Sequence, residues 1–508
     1  MRCRMGIPLL AALLLLPEAA RGAPGGGGDL PEVTVGSKAF PESWILGEAV
    51  RVLLASTGTV RAEHRSNLGG TEIVYQALRT GSLDVYPEYT GTIAEVLMKA
   101  SPGTGRPALR AFLAERGLGM TDPLGFNDGY ALAVMPETQK RGLEKISDLA
   151  RFPDLRLGFT HEFIGRKDGW EGLAARYRLP HRNVRGLQHE LAYEAIASGQ
   201  IEVMEIYTTD AHIARLGLKL LEDDLGFFPR YEAVLLYRLE LALRAPEAFR
   251  AMERLAGRID EARMIAANVR VALERWSTEK AAARLLEESL GESAPRAPAA
   301  PEAAARIARD ALRHLELVAV SLLGAILIGV PLGILAARSR LLALLTLSGA
   351  GLLQTIPSLA LLAFLIPLFG IGVVPALVAL FLYSLLPIVR NTYVGLVGIP
   401  PNLAEAAEAL GLSARAQLFR VKLPLASPAI LAGIKTSAVI NVGTATLAAL
   451  IGAQGLGNPI MSGIALRDTS LILQGAVPAA LLALLVQWTF DLLDRILVPR
   501  GLRLAGRR

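Results

Sequence analysis

Glu405 to Pro424 reads EAAEALGLSARAQLFRVKLP, a polar and basic segment set between long apolar runs. It fits the spacing Glu-Ala-Ala, three residues, Gly, nine residues, apolar-x-Leu-Pro, carried by Glu405, Ala406, Ala407, Gly411, Val421, Leu423 and Pro424. Glu, Ala and Leu favour helix, Gly411 interrupts it, and Pro424 is expected to stop a second short helix. A bent, charged helix pair on the water side of a membrane is something a partner can grip. The plainer reading of the same residues is an amphipathic loop between two spans.

The runs around it have membrane length. A span needs about 20 apolar residues, and the apolar excess is concentrated between residues 314 and 498. Five spans are expected, at about 315–337, 345–369, 372–396, 428–452 and 475–498. If 405–424 is cytoplasmic, the inside loops hold Arg338, Arg340, Arg390, Arg415, Arg420, Lys422, Arg495, Arg500, Arg503, Arg507 and Arg508, and the outside loops hold Arg467 alone. Cytoplasmic loops collect Lys and Arg, so this asymmetry fixes the orientation, with the C-terminus inside. It also explains the formal charge of +6 without a nucleic-acid partner. Gln354, Asn441 and Thr444 are polar within these runs, which suits a pathway or an interhelical hydrogen bond. Asp491 and Asp494 are expected to pair with Arg495 or to sit at the interface.

The first half of the 508-residue chain is of a different kind. Arg2 and Arg4, an apolar run from Ile7 to Leu16, and small residues around Ala20-Arg21-Gly22 have the plan of a signal peptide over residues 1–23, which exports the domain behind it. The only cysteine, Cys3, lies in that leader, so neither a disulfide nor a cysteine metal site is expected beyond it. From residue 29 to 290 strand-like runs alternate with helix-like ones. Val33–Ser37, Val60–Ser66 and Asp84–Tyr89 read as strands between helices at Pro41–Leu54 and Gly70–Arg79, and the pattern restarts at Leu155–Thr160 and Val203–Tyr207. Such alternation implies a mostly parallel sheet covered on both faces, and two units imply two lobes with a cleft, the second at about 131–230. Residues 291–306, with three prolines among alanines, read as a linker that reaches on the order of 20 Å if flexible. The membrane half occupies 307–508.

Two resemblances sharpen this reading. The spacing in 405–424 resembles the coupling loop of ABC importer permeases, which docks on the ATPase subunit, and Gln354-Thr355-Ile356-Pro357-Ser358 resembles the corresponding span of quaternary-amine permeases. Gly36-Ser37-Lys38, Gly69-Gly70-Thr71 and Tyr86-Pro87-Glu88-Tyr89-Thr90-Gly91-Thr92 resemble the solute-binding proteins for glycine betaine, choline and related quaternary amines. The resemblance implies an N-terminal α/β two-lobed periplasmic-binding-protein fold of type II, followed by an all-α polytopic membrane domain. It also implies an aromatic box of Tyr89, Tyr130, Tyr207 and Tyr231, and carboxylate-binding groups at Lys38, Thr92 and Arg166.

The implied chemistry suits these residue types. A quaternary ammonium has no N–H to donate, so aromatic faces select it, at about 0.5–2 kcal/mol per contact. Arg offers a carboxylate a forked pair of hydrogen bonds. Asp128 either faces a cationic ligand or caps a turn. Tyr75, Tyr177, Tyr193 and Tyr237 read as core or surface residues, and Tyr86 as a packed one. Arg166 and Lys38 together favour a zwitterion, a single cationic site choline.

No Gly-x-x-x-x-Gly-Lys-Ser/Thr occurs, so ATP hydrolysis is expected on a separate ATPase subunit. No cofactor, metal cluster or nucleophile–base constellation is expected, and surface positions are expected for His161, His181, His189 and His212. The expected protein is thus a fused binding protein and permease in the cell membrane, dimeric in its membrane part. It imports glycine betaine or, alternatively, choline, carnitine or ergothioneine. The residues leave open osmoprotection against nutrient uptake, and transport against a tethered ligand sensor.

Overall fold

A computed structural model describes residues 30–100, 104–166, 168–291, 303–466 and 468–498. The leader at 1–23, most of the 291–306 linker, Arg467, Arg500, Arg503, Arg507 and Arg508 lie outside the described residues.

The N-terminal half is an α/β fold of two five-stranded sheets, one per lobe. The first contains β1 (Glu32–Gly36), β2 (Arg61–Arg65), β3 (Val85–Tyr89), β4 (Leu118–Met120) and β10 (Ala233–Arg238), in the order β2-β1-β3-β10-β4. The second contains β5 (Tyr130–Val134), β6 (Leu157–Thr160), β7 (Val184–Leu187), β8 (Val203–Tyr207) and β9 (Lys219–Leu221), in the order β7-β6-β8-β5-β9. The expected mostly parallel sheets are mixed. Each lobe accepts one strand arriving from the other, β10 in the first and β5 in the second, and these run antiparallel to their neighbours because the chain returns across the cleft.

Side chains alternate across a strand, so β10 feeds two cores. Ala233 and Leu235 face α1 (Pro41–Ser56), α5 (Glu261–Ala272) and α6 (Thr278–Leu290) through Ile45, Leu46, Ala267 and Leu285. Val234 and Leu236 face a cluster with Val74 and Leu78 of α2 (Thr71–Arg79), which runs on into the membrane half through Leu317, Leu361, Leu365 and Ile371. The first lobe therefore sits on the membrane domain. At the junction Gly452, at φ +78°, carries no side chain, and a Cβ there would lie 2.6 Å from Leu68.

The remaining helices of the second lobe that matter here are α3 (Trp170–Tyr177) and α4 (His189–Ala197). The membrane half is all helical: α7 (Ala303–Ala336), α8 (Arg340–Thr355), α9 (Ser358–Phe369), α10 (Val373–Val397), α11 (Pro401–Ala409), α12 (Leu423–Thr444), α13 (Gly457–Ala465) and α14 (Thr469–Leu497). Among the described residues, four helices are long and apolar enough to cross a bilayer, or five if α8 and α9, bent by 97°, form one span. The expected 345–369 span is this bent pair. Pro357 biases the residue before it to extended backbone, Ile356 breaks the helix at ψ 125°, and its carbonyl is satisfied by the Tyr383 hydroxyl at 2.5 Å. Helix α7 begins at Ala303, inside the expected linker.

The 405–424 segment differs from expectation at one end. Helix α11 holds Glu405, Ala406 and Ala407, and Gly411 makes the bend at φ +74°. Ser413 then caps a helix that does not stop at Pro424. The chain stays helical from Ala414 to Ile451, through a wide-wound turn at Leu418–Lys422, and Pro424 sits in the first turn of α12. A helix tolerates proline in its first turn, where the missing N–H is not needed, and the wound turn before it absorbs the lost bond.

Asp491 pairs with Lys435 across α12 and α14 at 2.5 Å, not with Arg495. Asn441 donates from Nδ2 to Ser321 on α7 at 3.2 Å, whereas Thr444 bonds back to its own helix at Ile440.

Candidate functional site

The two crossing strands bring the four tyrosines together. Tyr130 opens β5 and pairs in register with Tyr207, the last residue of β8. Tyr231 stands just before β10, where its carbonyl accepts from Asp128 N at 3.1 Å, and Ala233 pairs with Tyr89 at the end of β3. Each ring is thus carried by a strand end at the cleft.

The ring of Tyr130 lies 5.2 Å from Tyr207 and 5.5 Å edge-on from Tyr231. Phe40 links the remaining member, stacking on Tyr207 at 5.9 Å and on Tyr89 at 6.5 Å. Phe163 and Phe228 close the far side at 5.1 and 6.3 Å from Tyr130. Phe40, Phe163 and Phe228 were missed from sequence, although Phe163 and Phe228 stand three residues before Arg166 and Tyr231. The Tyr-Thr-Gly-Thr run has a steric reason. A Cβ on Gly91 would lie 2.4 Å from the Tyr231 ring, so only glycine admits the ring there.

Two of the hydroxyls are tethered to carboxyls. Tyr89 donates to Glu42 Oε1 at 2.7 Å and Tyr231 to Asp168 Oδ2 at 2.5 Å. Burial pushes the phenols of Tyr89, Tyr130, Tyr207 and Tyr231 above their ordinary range, so all four stay neutral.

The two candidate carboxylate binders are already paired. Arg166 lies 5.4 Å over the Tyr130 ring, and its guanidinium forks onto both oxygens of Asp168, with Nε 2.8 Å from Oδ1. Lys38 contacts Glu88 at 2.5 Å and lies 5.7 Å from the centre of the Tyr89 ring. Thr92 is buried in the turn after β3.

Asp128 belongs to a polar cluster that sequence did not foresee. The Thr209 hydroxyl lies 2.6 Å from Glu42 Oε2 and 2.8 Å from Asp128 Oδ1, and Asn268 of α5 reaches Glu42 Oε2 at 2.8 Å. Burial raises the Glu42 carboxyl against the hydrogen bonds that lower it. Burial, and then the charge of Glu42, raise that of Asp128 well above the carboxylate range.

Three of the four histidines expected at the surface are not there. His181 is buried on the Phe152 carbonyl. His189 packs 5.0 Å from the Tyr207 ring, and His212 is 3.0 Å from Asp210. Tyr193 stacks on His212 at 4.4 Å and bonds His189 at 2.9 Å, so it supports the box from behind. Burial raises Asp210, but hydrogen bonds from His189 and His212 outweigh it and hold the carboxyl low.

A nucleophile–base pattern also exists, contrary to expectation. Ser37 Oγ is 2.8 Å from His64 Nε2, and His64 Nδ1 is 3.0 Å from Glu48. Ser37 is wholly buried, so a substrate carbonyl cannot reach it and the relay fixes the loop that carries Lys38. Among the described residues no group of acidic, His or Cys side chains is arranged to hold a metal.

Comparison with known proteins agrees with both halves. Residues 31–288 match the family described as the substrate binding domain of an ABC-type glycine betaine transport system, and residues 329–502 the family described as a binding-protein-dependent transport system inner membrane component. The chain is 46% identical over 196 residues to the osmoprotectant import permease protein OsmW of Salmonella typhimurium, covering 38% of this chain and 91% of that one. It is 33% identical over 285 residues to the ergothioneine transport permease/ergothioneine binding protein EgtU of Helicobacter pylori, covering 55% of this chain and 50% of that one. A solved structure titled as a glycine betaine/carnitine/choline ABC transporter is 30% identical, covers 50% of this chain and 98% of its own, and has a TM-score of 0.44.

Proposed function

Because the chain belongs to the family of substrate-binding domains of ABC-type glycine betaine transport systems, here fused to an inner-membrane transport component, we propose that its own cargo is a quaternary ammonium compound held by Tyr89, Tyr130, Tyr207 and Tyr231. The chain is a multi-pass membrane protein of an ABC importer, and its family is one of transport rather than catalysis. The observation that carries the proposal is the meeting of four tyrosines from two sheets in one aromatic cluster, with the hydroxyls of Tyr89 and Tyr231 tied back to carboxyls. Neutral aromatic faces attract a methylated cation that hydrogen bonds cannot hold.

In the proposed cycle the two lobes close on the solute outside the membrane and release it into the permease half beneath the first lobe. A separate ATPase subunit supplies the energy by gripping 405–424 from the cytoplasm. The permease halves pair as a homodimer so that two such segments meet two ATPase subunits. The experiment is binding of glycine betaine, choline, carnitine and ergothioneine to the full chain, followed by ATP-dependent uptake with the ATPase in vesicles. Binding of none of the four would remove the reading.

A further inference from the structure

A cavity of about 50 Å³ adjoins the tyrosine cluster, and its wall includes Phe40, Glu42, Asp128, Tyr207, Thr209 and Asn268. Phe40 and Tyr207 belong to both, so the cavity continues the aromatic site. Its polar side holds the Glu42 and Asp128 carboxyls, the Thr209 hydroxyl, the Asn268 amide and the rings of His189 and His212. Asn268 Nδ2 donates to Glu42 Oε2 at 2.8 Å and to the Thr209 carbonyl at 3.1 Å, and a carbonyl only accepts, which fixes the amide's orientation. The other end of that amide, Oδ1, is left buried with no hydrogen-bond partner among the described residues. Asn268 is 6% exposed, so bulk water does not satisfy it. The carboxyls of Glu42 and Asp128 stand beside it and meet on one hydroxyl, that of Thr209. A buried acceptor without a donor is unfavourable, and the Asn268 oxygen is one.

Resting on the quaternary-ammonium reading above, we infer that this cavity receives the far end of the ligand and selects quaternary amines that carry an O–H or N–H donor. Choline and carnitine have a hydroxyl and ergothioneine has ring N–H groups, whereas glycine betaine has acceptors only. The volume limits which end of the ligand enters. One water takes about 30 Å³ of liquid, so the cavity admits a hydroxyl or a ring edge, and the trimethylammonium head stays among the rings. The pairing of Arg166 with Asp168 and of Lys38 with Glu88 leaves both cations neutralised, which favours choline, the one of these four compounds without a carboxylate.

The test compares choline with n-propyltrimethylammonium, which has the same charge and nearly the same size but a methyl in place of the hydroxyl. Calorimetry of the full chain in detergent is expected to show choline bound at least about tenfold more tightly, since a site built to pair a hydroxyl rejects the analogue lacking it. Asn268→Ala is expected to bring the ratio within about threefold. The comparison on the unaltered chain does not depend on the variant folding. Equal affinities for the two compounds would overturn the inference and leave the quaternary-ammonium reading standing. Binding of neither, nor of any other quaternary amine, would overturn both.

Discussion

Glu42 of the first lobe accepts a 2.6 Å hydrogen bond from Thr209 of the second, so the two lobes meet on a buried carboxylate. The same hydroxyl lies 2.8 Å from Asp128. A hydroxyl has one proton to give, so the contact is complete only when one of the two carboxyls is protonated. Both carboxyls are raised in this closed arrangement, chiefly by burial, and return to ordinary values when the lobes part. The stabilisation of the closed form is therefore full at low pH and is lost as pH rises through the raised values. Without ligand, the distance between labels on the two lobes should be shorter at about pH 5 than at about pH 8. Asp128→Asn should abolish that difference, and an unaltered chain with no difference would refute the shared proton.

Tyr207 joins the two sides of the site, stacking on Phe40 and packing on Tyr130 and His189. Removing one aromatic wall around a desolvated cation costs up to about 2 kcal/mol. Tyr207→Ala should thus weaken quaternary-amine binding by roughly tenfold or more. Tyr75→Phe removes a buried hydroxyl that has no hydrogen-bond partner among the described residues and lies on the opposite face of the first lobe, and binding should not change.

Arg166 and Asp168 are 8% and 4% exposed, so their pair is shielded from solvent. Arg166→Ala strands a buried carboxylate and should destabilise the domain by about 3–5 kcal/mol, while the double change Arg166→Met with Asp168→Leu recovers most of it. A thermal melt reads both. An unchanged melting temperature in Arg166→Ala, with only carboxylate-bearing ligands bound less tightly, would instead make Arg166 a ligand clamp.

The Lys435–Asp491 pair joins α12 to α14 within apolar helices. Neither charge is stable alone in hydrocarbon. Lys435→Met should lower the yield of folded, detergent-stable protein, and adding Asp491→Leu should restore it. Equal yields for the single and double variants would show that Asp491 reaches water without Lys435.

Much of this was legible in sequence because period and punctuation are local. The alternation from Val33 to Tyr89 located β1, α1, β2, α2 and β3 within a few residues, and hydropathy located the spans. What escaped depended on contacts far apart in the chain. Glu42, Thr209 and Asn268 are separated by more than a hundred residues in two of their three pairings, and Thr209 meets the other two only because the lobes close. His189 and His212 looked exposed because no short motif joins them, and it is Asp210 that draws them in. Pro424 was misread for a different reason. Proline stops a helix only in its interior, and the wide turn at Leu418–Lys422 moves it to a helix start.

The segment that first suggested a partner now has a shape that can be tested. At the elbow around Gly411, Leu410 is 79% exposed and Phe419 is 58% exposed, although both are large and apolar. Exposed apolar side chains beside a charged helix pair fit anchors for pockets on another protein, where a few buried side chains carry most of the binding energy. Leu410→Asp and Phe419→Asp leave the described packing intact, so ligand binding and folding should be unchanged. Co-purification of the ATPase subunit should fall by about tenfold or more. Gly411→Ala acts through the backbone, because a side chain at φ +74° is strained by about 1–2 kcal/mol and re-aims α11. It should lower ligand-stimulated ATP hydrolysis more than it lowers ATPase retention. If all three variants keep normal retention and normal stimulated hydrolysis, the ATPase grips the membrane half elsewhere.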